Sequence, residues 1–171
     1  IFYFFNEGSW QQSKFMTQAC EGCNPEVLID PNTFSEDGTV SLSSVSISPN
    51  GKFIAYSVSD GGSDWKTWKI LKVETKKTLD DQLKWTKFSS ASWEPDNSGF
   101  YYLKYPEPKK EALSEINKNP QLYFHRVGSS QKMDTLIYER PDKPNWSWSI
   151  HISEDSLYQI LSIGEGTDER N

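Results

Sequence analysis

Short aromatic-rich runs broken by frequent turn residues predict an all-β chain, and a threefold repeat within it predicts a partial β-propeller, an open arc. The 171 residues suffice for about one domain. Aromatic residues make up 14% of the chain (Trp 7, Tyr 8, Phe 9), against a hydrophobic total of only 35%. That balance suits strands, where flat rings cover a pleated surface.

The runs come in order. Residues 1–5, Ile-Phe-Tyr-Phe-Phe, form a strand stopped by Asn6-Glu7-Gly8. Val27-Leu28-Ile29 is closed by Asp30-Pro31-Asn32, and Phe53-Ile54-Ala55-Tyr56 ends near Asp60-Gly61-Gly62. Trp68, Ile70 and Val73 mark a fourth strand. Residues 122–127 make the cleanest, with Leu122 and Phe124 facing one way and Tyr123 and Val127 the other. Residues 109–119 depart from this pattern, because Ala112, Leu113 and Ile116 carry helical spacing over barely two turns. That length is marginal for a helix standing alone, and the stretch 106–119 reads as a loop insertion.

The repeat sets the architecture. Val45-Ser46-Ile47-Ser48-Pro49-Asn50-Gly51-Lys52-Phe53-Ile54-Ala55-Tyr56 matches Ala91-Ser92-Trp93-Glu94-Pro95-Asp96-Asn97-Ser98-Gly99-Phe100-Tyr101-Tyr102, and a third copy runs from Ile150 to Leu161. Each is a strand, a polar hairpin turn and a more apolar strand. Taking Ile47, Trp93 and Ile152 as equivalent, the periods are about 46 and 59 residues, the longer containing the insertion. Periods near 40–50 residues mark propeller blades of four strands. The blades fall at about 1–40 (first blade strands), 41–83, 87–140 and 145–171 (incomplete). Fewer than four blades do not close a ring that needs about 4–8. The apolar start and the polar 164–171 read as cuts in a longer polypeptide.

Charge excludes partner classes. Eighteen Lys and Arg against 24 Asp and Glu give a net charge of −6. An acidic chain with no basic stripe is a poor ligand for nucleic acid or an anionic membrane, and no apolar run nears the roughly 20 residues of a membrane helix. Cys20-Glu21-Gly22-Cys23 invites a metal or redox reading. Zinc needs more Cys or His ligands than this chain places nearby, and the βαβ context of a thioredoxin-type motif is missing. The pair reads as loop cysteines without a role, with no metal and no cofactor expected. Low cysteine use points to a cytoplasmic location.

Several strings resemble a known family. Residues 28–40, Leu-Ile-Asp-Pro-Asn-Thr-Phe-Ser-Glu-Asp-Gly-Thr-Val, are similar to the "LDPN…L-S-x-D-G-T" stretch of the prolyl oligopeptidases. Gly62-Ser63-Asp64-Trp65 looks like their "GSDW" turn. Lys87-Phe88-Ser89-Ser90-Ala91-Ser92-Trp93 resembles their "K-F-S-x-x-x-W" strand, and residues 1–6 resemble the strand where their propeller begins. Leu122-Tyr123-Phe124-His125 and Leu161-Ser162-Ile163 carry a weaker likeness. The resemblance implies a serine peptidase that cuts short peptides after proline. It also implies a seven-bladed propeller covering the active site and restricting access, with the Ser, Asp and His triad in an α/β-hydrolase domain absent from this chain. This segment would be about three blades, acting as gate and size filter. By the same resemblance Asp64 would pair with an arginine of the hydrolase domain that holds the peptide. Phe88 would reach toward the third substrate residue from the cleavage point.

The residues agree that the segment itself is not catalytic. A nucleophile elbow needs G-x-S-x-G, and Gly61-Gly62-Ser63-Asp64 lacks the closing glycine. The two histidines, His125 and His151, lie on predicted strands and read as half-buried structural side chains. Bland readings stand beside the others: Asp64 as a turn aspartate bonded to local backbone, Phe88 as a core aromatic, and Trp85, Trp93, Trp146 and Trp148 as core filling rather than a ligand platform. Lys76-Lys77 and Lys109-Lys110 read as solvated surface. A free-standing binding propeller is the alternative function. Its WD signature is missing, since no Trp-Asp or Gly-His pair occurs.

Overall fold

The computed structural model describes residues 1–108 and 118–165. Strands β1 (Phe2–Phe5), β2 (Lys14–Thr17) and β3 (Glu26–Ile29) form a first antiparallel sheet. The second holds β4 (Val40–Ile47), β5 (Phe53–Asp60), β6 (Lys66–Lys72) and β7 (Lys77–Thr86). The third holds β8 (Ser92–Trp93), β9 (Gly99–Lys104), β10 (Gln121–Arg126) and β11 (Thr135–Tyr138), and β12 (Trp146–Ile152) pairs with β13 (Gln159–Glu165) in the fourth. Within each sheet the strands pair in sequence order, so each sheet is a meander. The only helical pieces among the described residues are the 3₁₀ turns Pro31–Thr33 and Gln131–Met133. The helical spacing and the Lys109-Lys110 pair lie outside the described residues, save for positions 118 and 119.

The three repeat copies are the same hairpin three times, joining β4 to β5, β8 to β9 and β12 to β13. The Ser48, Glu94 and Ser153 N–H groups donate to the Phe53, Gly99 and Tyr158 carbonyls, each at 2.9 Å. At the turn Gly51, Asn97 and Ser156 all take left-handed backbone (φ 69, 64 and 62). Neighbouring hairpins also touch across sheets. Ser46 Oγ donates to the Ala91 carbonyl at 2.7 Å, and Ser92 Oγ, its repeat equivalent, donates to that of Ile150 at 2.6 Å.

Strand alternation then builds a core at each sheet-to-sheet junction rather than one central core. From β5, Ile54 and Tyr56 face Phe15, Leu28 and Ile29 of the first sheet, while Ala55 turns with Trp68, Ile70 and Leu83 toward the third. From β9, Phe100 and Tyr102 complete that second junction, and Tyr101 and Leu103 face Trp148 and Ile150 of the fourth sheet. The alternation expected in β10 holds: Leu122 and Phe124 join the third junction, Tyr123 and Val127 the second. Packing therefore runs from each sheet to the next in an open series. Apolar side chains on the two end sheets stay exposed, Phe4 at 55% and Phe5 at 47% in β1, Ile160 at 50% and Ile163 at 46% in β13.

Candidate functional site

Strands β5 and β7 run in the same direction within one antiparallel sheet, so their C-terminal ends lie at the same end of it. The β5–β6 turn carries Asp64 and the β7–β8 connector carries Phe88. The two residues singled out from the sequence therefore share one rim. The turn is built by Gly61 and Gly62, both left-handed (φ 56 and 71), and by the Trp65 N–H donating to Ser63 Oγ at 3.1 Å. Asp64 is exposed on it.

The connector is unusual. Phe88 is left-handed at φ 47 and Trp85, three residues earlier, at φ 61. Bulky L-residues avoid that region, at a cost of about 1–2 kcal/mol each. Surrounding contacts hold them there. The Tyr105 N–H donates to the Trp85 carbonyl at 2.8 Å. Thr86, fully buried, donates from Oγ1 to the Lys66 carbonyl at 2.8 Å. Ser89, also buried, accepts the Leu103 N–H on its Oγ at 2.8 Å. Phe88 is turned outward, 63% exposed. That overturns the core-aromatic reading: the left-handed backbone carries the ring out of the blade. Backbone strain of this kind persists where the surroundings over-determine it, and it clusters at binding sites.

An aromatic nest joins turn to connector. Trp65 meets Trp85 edge to face (5.7 Å between centroids) and Tyr105 likewise (6.3 Å). Lys87 Nζ lies 4.0 Å from the centroid of the Trp65 ring. A crevice of about 260 Å³ opens at the same end, walled by Ser63, Trp65, Lys84 and Trp85 among others. The arrangement offers an exposed carboxylate, an exposed ring and aromatic walls. It can bind and orient an extended ligand.

His125 is not half-buried but wholly so, and it makes a cluster the sequence did not signal. Its Nε2 lies 2.9 Å from Asp81 Oδ1 on β7, and its Nδ1 lies 2.7 Å from Asp134 Oδ1 just after the second 3₁₀ turn. Tyr102 Oη donates to Asp134 Oδ2 at 2.7 Å, and the Gly128 N–H to Asp81 Oδ1 at 2.7 Å. Two carboxylates facing both ring nitrogens call for a doubly protonated imidazolium. Burial pulls the His125 pKa down, but hydrogen bonds and charge from Asp134 and Asp81 outweigh it and push it up to about 9. Burial, reinforced by Asp134, pushes the Tyr102 hydroxyl upward. With the imidazole wholly buried and both its nitrogens taken by carboxylates, the cluster is a clasp between the second and third sheets. His151 departs from the half-buried expectation the other way. On β12 the alternation turns Trp148 and Ile150 inward and His151 out, at the repeat position from which Ser46 and Ser92 reach the following sheet.

Trp93 and Trp148 fill core as expected, while Trp85 and Trp146 are only half-buried. Lys76 is exposed but pairs with Glu26 at 3.0 Å. Cys20 and Cys23 are joined in a disulfide, Cα atoms 5.2 Å apart, which the sequence reading did not foresee. The bridge lies in the β2–β3 loop. The β1–β2 loop is at the rim where β4 begins, because Gln12 Nε2 donates to the Val40 carbonyl at 3.0 Å. The disulfide is thus at the far end from Asp64 and Phe88. Among the described residues no group of three or more His, Cys, Asp or Glu is placed to hold a metal. None of the described helices is long and apolar enough to cross a membrane.

The family model described as prolyl oligopeptidase, N-terminal beta-propeller domain, matches residues 1–171. The chain belongs to the prolyl oligopeptidase family. Its four sheets are accordingly blades of an incomplete propeller, open at both ends. Among curated relatives, the prolyl endopeptidase of Elizabethkingia meningoseptica is 40% identical over 164 residues, covering 95% of this chain and 23% of that protein. The prolyl endopeptidase of Elizabethkingia miricola is 38% identical over 168 residues, covering 98% of this chain and 24% of that protein. A solved prolyl endopeptidase, from a study of inter-domain dynamics in catalysis and specificity, superposes with a TM-score of 0.86 at 35% identity, over 98% of this chain and 23% of that one. Prolyl oligopeptidase B from Galerina marginata, bound to a 35mer hydrolysis and macrocyclization substrate, gives a TM-score of 0.85 at 28% identity, over 95% of this chain and 25% of that one. The chain therefore spans about a quarter of the length of the relatives it matches.

Proposed function

We propose that this prolyl oligopeptidase propeller segment is the gating, size-filtering part of a serine peptidase that cleaves short peptides after proline. The parent chain supplies the catalytic triad from an α/β-hydrolase domain, with further blades completing a seven-bladed ring. Its four blade portions are 1–40, 41–83, 87–140 (with the 106–119 insertion) and 145–171. The rim bearing Asp64 and Phe88 faces the hydrolase domain. Asp64 orients an arginine of that domain, a charge-assisted pairing whose value lies in geometry. Phe88 contacts an apolar side chain of the peptide, at the third residue from the cut. No catalytic residue, metal or cofactor is assigned to the segment.

The observation that carries this reading is the outward projection of Phe88 from a left-handed connector at the same rim as Asp64. Propeller walls around such a site exclude water and large proteins, which serves both chemistry and selectivity.

The test is steady-state kinetics of the full-length protein on a proline-containing peptide. Asp64→Ala weakens substrate handling without unfolding the ring, and unchanged kinetics would remove Asp64 from the site. A cytoplasmic location was the reading from cysteine content, and the Cys20–Cys23 disulfide stands against it, because such bridges are rare in reducing compartments. Thiol labelling of the protein as isolated from cells decides: free thiols fit the cytoplasm, a bridged pair an oxidising compartment.

A further inference from the structure

We propose that Lys87 is a positioning residue for peptide recognition, its ammonium on the Trp65 ring locking the projection of Phe88 to the Asp64 turn. The inference rests on the reading of Asp64 and Phe88 given above. Lysine is almost never buried unless its charge is paired, yet Lys87 is only 6% exposed. Among the described residues no carboxylate forms an ion pair with it. Its charged end rests instead against the face of Trp65, 4.0 Å from the centroid.

The placement of that contact is what gives it meaning. Trp65 follows Asp64 directly and Lys87 precedes Phe88 directly, so one contact ties the two recognition residues together across strands β6 and β7. The rest of the connector is fixed independently, at Trp85 through the Tyr105 N–H, at Thr86 through the Lys66 carbonyl and at Ser89 through the Leu103 N–H. Trp85 and Lys87 both reach back to Trp65 in the turn bearing Asp64, Trp85 ring edge to face and Lys87 through its ammonium, and Lys87 is the one that directly precedes Phe88. The Lys87 stem packs within the connector, and an apolar side chain of similar length would pack there as well. What the ammonium adds is its hold on the Trp65 ring, so its role lies in geometry.

The experiment compares Lys87→Met and Lys87→Arg in the full-length protein. Two proline peptides are used, one reaching the third residue before the cut and one ending at the second. Lys87→Met is expected to melt at or above the parent temperature. It raises KM for the longer peptide about 3–10-fold, the range of a lost cation–π contact, and leaves kcat and the shorter peptide unchanged. Lys87→Arg keeps the cation and restores the longer peptide to within about twofold. A lower melting temperature with both peptides weakened equally would make Lys87 merely structural and overturn the proposal, as would an unchanged KM for the longer peptide. Phe88→Ala is the control for the underlying reading. If it weakens the longer peptide and Lys87→Met does not, the positioning role fails alone; if Phe88→Ala changes nothing, both fall together.

Discussion

The second and third sheets are joined in two contrasting ways. Around His125 the joint is polar and centred on a wholly buried imidazole. Both ring nitrogens meet carboxylates, Tyr102 and Gly128 occupy remaining acceptor positions, and the Gln131 amide bonds both the N–H and the carbonyl of Lys84 at 3.1 and 3.0 Å. Around Phe88 the joint is aromatic and strained, with two bulky residues in left-handed backbone and one ring left in solvent. The difference teaches where each kind of cost is tolerated. A buried charge cluster survives when every partner is present. Backbone strain survives where surrounding contacts over-determine it, as the hydrogen bonds at Trp85, Thr86 and Ser89 do here.

The largest effect comes from breaking the clasp. His125→Ala leaves Asp81 and Asp134 buried without their cation, and chemical denaturation of the full-length protein should show a loss of about 3–5 kcal/mol. Peptide selectivity at the Phe88 rim should hold in the fraction that stays folded.

Alkaline pH weakens the same clasp without mutation. The His125 pKa stands at about 9 in the folded chain against 6.5 for an ordinary histidine, so folding favours the protonated form. The clasp contributes fully below pH 6.5, and its contribution is lost as pH rises through 9. The loss is on the order of 3 kcal/mol. Urea midpoints should fall across that window in the parent protein and stay flatter in His125→Ala.

Gly99 tests the strand pairing beneath the clasp. A Cβ there would sit 2.0 Å from the His125 carbonyl oxygen, a backbone atom that cannot turn aside. Gly99→Ala should cost about 2–3 kcal/mol by thermal melting, since the β9–β10 ladder must shift to admit the methyl group.

Sequence reading recovered much of this, for reasons visible in particular residues. The hairpin copies were legible because Ser48-Pro49-Asn50-Gly51 and its equivalents write the turn chemistry into residue type. Strand β10 was legible because its alternation is regular. Strand β7 was not marked, because Lys77, Asp80, Asp81 and Lys84 mask an inward row of Leu79, Asp81 and Leu83 in which one member is itself charged. The same disguise hid the clasp, since Asp81, His125 and Asp134 are far apart in the chain and carry no local motif. Strand β2 was not marked because Lys14-Phe15-Met16-Thr17 holds only two apolar residues between polar ones, whereas the equally short β1 and β3 carry longer apolar runs. At the rim, Asp64 and Phe88 were identified through resemblance to a family. Of their neighbours, Trp85 reads only as core filling and Lys87 only as part of the K-F-S string, because a left-handed tryptophan and a buried lysine are decided by tertiary contacts.

The smallest stability change bears most directly on the claim that the connector is strained in order to present Phe88. Asparagine tolerates left-handed backbone, and an exposed ring gives up little burial when removed. Melting temperature and KM for an extended proline peptide should be measured on one preparation of the full-length Phe88→Asn protein. The account predicts a gain of up to about 1 kcal/mol in stability together with weaker binding of the extended peptide. A less stable protein with unaltered peptide kinetics would contradict it.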